Sequence, residues 1–103
     1  MSHRESLPAR RFCETFSFEC NGLDYSATIG RYPDGRIAEI FIGNAKAGSH
    51  SDSAAKDSAV VCSIALQFGV PLEIIRRALL RDSHGRANSP LGCALDALAE
   101  SAP

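Results

Sequence analysis

The sequence predicts an α+β domain, in which a three-stranded antiparallel β-meander is followed by about three helices packed on one sheet face. Two periodicities predict it. Apolar residues alternate with a period of two over roughly residues 12–42, which is typical of half-buried strands, and recur at helical spacing after residue 50. A glycine-containing loop at 43–51 separates the two patterns. A run of antiparallel strands followed by helices is characteristic of the α+β class.

Two reversals define the three strands. The first strand alternates apolar and polar residues over 12–20, and Asn21-Gly22 then gives the strongest short signal for a hairpin. At Pro33-Asp34-Gly35 the proline presets φ and the glycine suits the left-handed position, so the second strand ends there. The third strand, over 36–42, is apolar on both faces near its end, which predicts that both faces are covered.

The helices have start and stop signals. Ser51 or Asp52 suits the N-cap of the first helix, which Gly69 ends. Pro71 suits the first position of a second helix, which we expect to run to about Arg81.

A third helix is predicted to start at Ser89-Pro90. Residues at helical spacing predict the buried faces of all three helices. These residues are Ala54, Ala55, Ser58, Val61, Cys62, Ala65, Leu66, Leu72, Ile75, Leu79, Leu91, Ala94, Leu95 and Leu98, with Val70 expected to be buried at the turn between the first two helices.

Composition limits the classes of function. The 103 residues suit one domain at 12–100, with 1–11 predicted as a disordered or loosely docked tail. A net charge of -1 gives no global attraction to nucleic acid, and no apolar run is long enough to span a bilayer. Because no apolar stretch follows the arginines of the tail, a secretory signal is not indicated and a cytoplasmic location is expected.

The cysteines and histidines predict neither a metal site nor a nucleophile. Cys13, Cys20, Cys62 and Cys93 contain no C-x-x-C pair and no metal-like spacing, so we expect reduced, mostly buried thiols. The histidines lie far apart in polar segments, and no base is near Cys62 or Cys93 in the sequence. We therefore predict no catalytic residue, no metal and no cofactor.

The glycine loop is the first candidate binding site. Gly43 and Gly48 have P-loop spacing, but that motif needs Lys and then Ser or Thr directly after the second glycine, where this chain has Ser49 and His50. Nucleotide hydrolysis is therefore not expected. Amides at the helix start still suit a phosphate or carboxylate, and the alternative is a plain connection without a ligand. The residues of this candidate anion site are Lys46, Gly48, Ser49 and Ser51.

Glu39 is the most informative acidic residue. It lies in an otherwise apolar strand, on the face shared by Ile37 and Phe41. A carboxylate in such a place must be paired or lie at an edge. We expect an ion pair with Arg31 or Arg36, and the alternative is a contact with a ligand or partner.

Arginines cluster on the second predicted helix. Arg77 and Arg81 are i,i+4 neighbours on its outer face, and Arg76 flanks them. The cluster is either solvated surface or a contact for an acidic protein patch, a phosphate or an RNA backbone. Because no exposed aromatic residues lie between the arginines, stacking of single-stranded nucleic acid is not expected.

Two dense sequence blocks resemble a known family. They are Pro33-Asp34-Gly35 followed by Ile37-Ala38-Glu39-Ile40-Phe41-Ile42, and Leu66-Gln67-Phe68-Gly69-Val70-Pro71-Leu72-Glu73, with Lys46-Ala47-Gly48 between them. Over roughly residues 23–98 this order is similar to the TSCPD-type domain near the C-terminus of adenosylcobalamin-dependent ribonucleotide reductases, which also occurs as a stand-alone protein. Within the resemblance, only Glu39, Lys46 and Gln67 have functional groups worth testing.

The resemblance also has limits. The reductases carry a ten-stranded barrel with radical-handling cysteines, for which this chain is too short. The tetrapeptide that names the domain is absent, and 89–93 is only a loose echo of it. Cys93 therefore inherits no electron-shuttling role.

The resemblance implies a non-catalytic accessory or interaction module that binds a protein partner, either a reductase-like protein or a second copy. The alternative is a small sensor that binds a phosphate, a nucleotide or another anionic small molecule at 43–51. An enzyme in its own right is the least favoured hypothesis, because the sequence offers no nucleophile, metal set or cofactor motif.

Overall fold

The structure is a computed structural model, and it describes residues 3–44 and 48–101. Its strands form one antiparallel sheet in the order β1-β2-β3, and the helices follow the sheet in the chain. The predicted α+β class and β-meander are therefore confirmed. The elements are β1 (Cys13–Cys20), β2 (Leu23–Arg31), β3 (Ile37–Asn44), α1 (His50–Gln67), α2 (Leu72–Ala78) and α3 (Pro90–Ser101).

Tight reversals fix the register of the sheet. At the first, Asn21 and Gly22 both have positive φ, 52° and 80°, as a two-residue hairpin turn requires. At the second, Gly35 has a φ of 96°. The register that results places Ile29 directly opposite Ile40, so both side chains lie on the same face.

The core lies on one face of the sheet. Ile29, Ile40 and Leu95 are the largest fully buried side chains, and α3 packs against β1. Helix α1 completes the core beside β3. The other buried core residues are Cys20, Tyr25, Ala27, Ile42, Ala55, Ala59, Cys62, Leu66, Leu91 and Ala94.

The start and the buried face of α1 differ from the prediction. Ser49, and not Ser51 or Asp52, is the N-cap, and its side chain accepts a hydrogen bond from the Asp52 amide. Ala54 and Val61 are exposed. The buried residues of this helix are Asp52, Ala55, Ala59, Cys62, Ser63, Leu66 and Gln67.

Helix α2 is shorter than predicted. Pro71 is its N-cap and not its first residue, and the helix ends at Ala78 rather than near Arg81. Gly69 has a φ of 95°, the left-handed conformation expected after α1. Val70 is exposed, contrary to the prediction, because it lies between the two helices and outside both apolar faces.

Polar side chains of α1 hydrogen-bond to the free edge of β3. The Ser63 hydroxyl accepts from the Ile40 amide at 2.9 Å and donates to the Ile40 carbonyl at 3.0 Å. One turn further on, the Gln67 side-chain amide donates to the Ala38 carbonyl at 3.1 Å. An edge strand otherwise leaves backbone groups of this kind unpaired.

Asp52 completes this contact at the other end of the strand. Its carboxylate accepts from the Asn44 amide at 2.9 Å. From Asp52 to Gln67 the helix is about 22 Å long, and from Ala38 to Asn44 the strand is about 20 Å long. The two elements therefore run antiparallel with matched lengths, and helical side chains close the edge of β3.

The segment before β1 contacts the other end of α1. The Glu5 amide donates to the Gln67 carbonyl at 2.8 Å, and the Arg4 guanidinium donates to the Gln67 side chain at 2.7 Å. The Tyr32 hydroxyl donates to the Glu5 carbonyl at 3.0 Å, and Arg36 pairs with the Glu5 carboxylate. The predicted boundaries of the tail and domain stay a prediction.

In the part of the chain that the structure describes, no helix is both long and apolar enough to cross a membrane.

Replacing Ser63 by alanine should destabilise the protein by about 1–3 kcal/mol, because two buried backbone groups of Ile40 would lose their partner. Urea unfolding measures the loss. Ser58→Ala is a matched control, because the Ser58 hydroxyl bonds only within α1, to the Ala55 carbonyl. We expect the control to change stability by less than about 0.5 kcal/mol. Equal losses for the two variants would show that the contact with β3 contributes nothing specific.

Candidate functional site

Glu39 is paired, but with a residue outside the sheet. It is 5% exposed, and its carboxylate accepts from the Arg11 guanidinium, with Nη2 to Oε1 at 3.2 Å and Nε bonded to Oε2. This pairing raises the pKa of Arg11. The prediction that Arg31 or Arg36 pairs with Glu39 was wrong, because both arginines bind other carboxylates. These are Glu14 for Arg31, and Asp34 and Glu5 for Arg36.

Gly30 makes room for the Glu39 side chain. The two residues lie opposite each other in the register of β2 and β3. A Cβ atom on Gly30 would collide with the Glu39 carboxylate. Because Gly30 has no side chain, the Glu39 side chain can extend across β2 and reach Arg11.

A groove of about 380 Å³ runs between α1 and β3, and we call it the α1–β3 groove. Phe41 and Val60 line it, and each is 54% exposed. Ile64 adds apolar surface, while Arg4 and Lys56 supply positive charge. The prediction that β3 is covered on both faces is wrong at Phe41, since none of the helices that the structure describes packs over that side.

The described part of the candidate anion loop hydrogen-bonds within the chain. The Gly48 amide donates to the Asp52 carboxylate at 3.1 Å, and the Ser49 hydroxyl accepts from the Asp52 amide. Ser51 accepts from the side chain of the last residue of β3 at 2.9 Å. Lys46 lies outside the described residues. A phosphate at this loop would compete with Asp52 for the Gly48 amide, and anion binding here stays a prediction.

Asp52 is the anion that occupies the start of α1. Besides the amides of Asn44 and Gly48, its carboxylate contacts the Lys56 ammonium at 3.0 Å. Hydrogen bonds from those amides and from Lys56 lower the pKa of Asp52 to about 2. A negative charge in the first turn also suits the positive end of the helix dipole.

The arginine cluster is held largely by ion pairs within the chain. Arg76 and Arg81 both contact the Asp96 carboxylate, at 2.9 Å and 2.7 Å, and so connect α2 and the segment after it to α3. Hydrogen bonds from Arg81 and Arg76 lower the pKa of Asp96. Arg77 pairs with Glu73 but is 79% exposed. A partner contact through these arginines stays a prediction, for which Arg77 is the most accessible member.

The cysteines are more varied than expected. Cys20 and Cys62 are buried, Cys93 is half-buried and Cys13 is exposed. Burial raises the pKa of Cys62 to about 11. Within residues 3–44 and 48–101, no group of three or more His, Cys, Asp or Glu side chains is placed to hold a metal ion.

Comparison with known proteins gives one consistent relationship. The chain is 43% identical over 72 residues to the vitamin B12-dependent ribonucleotide reductase of Rhodopirellula baltica. The matched region covers 70% of this chain and 7% of that protein. It is 38% identical over 73 residues to the reductase of Bradyrhizobium diazoefficiens and 40% identical over 70 residues to that of Agrobacterium fabrum. These matches cover 71% and 68% of this chain, and 6% of each reductase. Most of this chain is a ribonucleotide-reductase-like domain.

The predicted resemblance is thus confirmed. The ribonucleotide-reductase-like domain spans only a small part of the relatives that it matches, 7% of the first and 6% of the next two. No family model matches the chain, and no solved structure matches it.

Several residues of these contacts were not anticipated from the sequence of the ribonucleotide-reductase-like domain. The sequence does contain a signal that Asp52 lies at the start of the helix, because Ser49-x-x-Asp52 has the spacing of a capping box. Val60 and Ile64 form an i,i+4 apolar pair outside the core stripe, which also could have been noticed. Arg11 and Asp96 had no local signal, because their partners are distant in the sequence.

Asp52→Asn should flatten the dependence of stability on pH. The pKa of Asp52 is about 2 in the folded protein and about 3.9 in an unfolded chain. Its stabilising contribution is therefore present above pH ~4 and is lost as the pH falls towards 2. We expect the melting temperature of Asp52→Asn to start lower at neutral pH and to fall less than that of the wild type between about pH 5 and 2.

Asp57→Asn is the control for this experiment, because Asp57 is an exposed residue of the same helix. It should keep the wild-type dependence on pH. If the melting temperatures of the wild type and of Asp52→Asn fell in parallel as the pH is lowered, the role assigned to Asp52 would be contradicted.

Proposed function

We propose that this chain is a non-catalytic accessory module that binds a ribonucleotide-reductase-type protein through the α1–β3 groove. The homology to a small region of vitamin B12-dependent ribonucleotide reductases is the observation that carries the proposal. In those relatives the region is a small part of a much longer chain. The proposal includes membership of the TSCPD type, a role in DNA biosynthesis and a cytoplasmic location.

The surface of the groove supports binding to a protein. Exposed apolar side chains that lie together mark interaction sites more often than scattered ones do. Phe41, Val60 and Ile64 meet this condition because they line one groove. Arg4 and Lys56 lie in the same lining, and an apolar centre with a polar rim is the usual composition of a protein interface. A partner segment with apolar side chains and flanking carboxylates would match it.

The titratable groups of the groove support binding without turnover. Glu39 is paired with Arg11, and Lys56 is paired with Asp52. The negative charge of Glu39, the acid in the described lining of the groove, is therefore already balanced within the chain. The Ser63 hydroxyl in the same lining is likewise occupied, by the backbone amide and carbonyl of Ile40.

Val60→Asp should weaken binding to the vitamin B12-dependent ribonucleotide reductase of the native organism by tenfold or more, because a carboxylate would replace an apolar anchor. Val61→Asp is a matched control in the next position of α1. Val61 is 68% exposed but does not line the groove, so this variant should bind within about twofold of the wild type. Isothermal titration calorimetry measures both.

Three outcomes distinguish the alternatives. No binding by the wild type would overturn the proposal, and so would equal weakening by the two variants. A dimer of the wild type that Val60→Asp dissociates, seen by analytical ultracentrifugation, would replace the reductase with a second copy as the occupant of the groove.

The purified chain alone should reduce no ribonucleotide when it is supplied with adenosylcobalamin and a dithiol. The reason is that the proposal assigns the chemistry to the partner. Deoxyribonucleotide formation, followed by chromatography of the products, measures it, with the native reductase as the positive control. Product above background from the isolated chain would show that it is an enzyme in its own right.

A further inference from the structure

Two cysteine side chains meet where the first hairpin contacts α3. The Sγ atoms of Cys20 and Cys93 are 2.7 Å apart, although the residues are 73 positions apart in the sequence. Cys20 is the last residue of β1 and is buried, whereas Cys93 lies in α3 and is half-buried. The packing of α3 on the sheet therefore brings two thiols into direct contact.

We propose that Cys20 and Cys93 are a dithiol site that closes to an intramolecular disulfide. The distance between the sulfurs is only about 0.7 Å longer than a disulfide bond. Closure therefore needs a small movement of the two side chains and no rearrangement of the fold.

The backbone on both sides is well held. Cys20 pairs with Leu23 where the hairpin closes. The Cys93 amide donates to the Ser89 carbonyl at 2.9 Å in the first turn of α3. Cys13 and Cys62 have no sulfur contact of this kind in the described part of the chain, so the geometry selects one pair among the four cysteines.

A low-molecular-weight disulfide is the oxidant that the site requires. A cavity of about 650 Å³ reaches both cysteines, so a small molecule has access. The Cys93 thiolate attacks the small disulfide, which forms a mixed disulfide and releases one small thiol. Cys20 then attacks the Cys93 sulfur and displaces the second. Two protein thiols are oxidised, one small disulfide is reduced to two thiols, and the two protons end on the released thiols.

The reaction should be slow at neutral pH. Burial and the adjacent Cys20 thiol raise the pKa of Cys93 to about 12, so little thiolate is present. The negative charge of Asp96 also raises the pKa of Cys93. The other charged residues that line the cavity are Glu19, Asp82, Arg86 and Glu100. Once formed, the bond joins the hairpin to α3 and restricts the unfolded chain over a long loop.

The test is to incubate the full chain with oxidised glutathione and map the disulfide by mass spectrometry. Trypsin would leave Cys13 and Cys20 in one peptide, because no Lys or Arg lies between them. Cleavage after glutamate separates them at Glu14 and Glu19. We expect the peptides of Cys20 and Cys93 to be joined, with the loss of two hydrogens from the mass of the chain. The melting temperature should rise by about 10 °C on oxidation and fall back with dithiothreitol.

Matched variants make the result specific. Cys13→Ser and Cys62→Ser should still form the disulfide, whereas Cys93→Ser should not form it and should show no rise in melting temperature. Mapping of the wild type decides the matter even if a serine variant folds poorly. Two free thiols at Cys20 and Cys93 after prolonged oxidation would overturn the proposal, and so would a disulfide that includes Cys13 or Cys62.

Discussion

The hydrogen bonds between α1 and the free edge of β3 are the constraint on which much of this structure depends. Ser63 satisfies both backbone groups of Ile40, and Asp52 and Gln67 hold the two ends of the strand. They require α1 to lie along the sheet edge, antiparallel to β3. That position leaves Phe41 and one side of α1 exposed, which creates the α1–β3 groove. It also brings the Asp52 carboxylate to the backbone amides of Asn44 and Gly48.

The same contact explains which parts of the fold the sequence could predict. The strands, the two reversals and the number of helices follow from period and turn chemistry, which are local. The buried face of α1 was predicted less well, because hydrophobic periodicity assumes a helix that packs on a sheet face. A helix at a sheet edge buries polar residues instead. Asp52, Ser63 and Gln67 belong to its buried stripe, whereas Val61 faces solvent.

The candidate sites divide along similar lines. An isolated carboxylate in an apolar strand indicates that Glu39 has a partner. It does not indicate that the partner is Arg11, because their contact depends on where the segment before β1 lies relative to β3. The pairing of Arg76 and Arg81 with Asp96 depends in the same way on the placement of α3. The contact between Cys20 and Cys93 has no sequence signal at all. Local patterns indicate which groups need a partner, and only the fold identifies it.

The two edges of the sheet are unequal, and this limits how copies of the chain could assemble. The edge of β3 is closed by α1, whereas the outer edge of β1 pairs with no described strand. Two copies that met through β1 would share one continuous sheet with a helix along each end. A third copy would find no strand left to extend. Addition of strands, which without such a barrier can continue into fibrils, would stop in this protein at a pair.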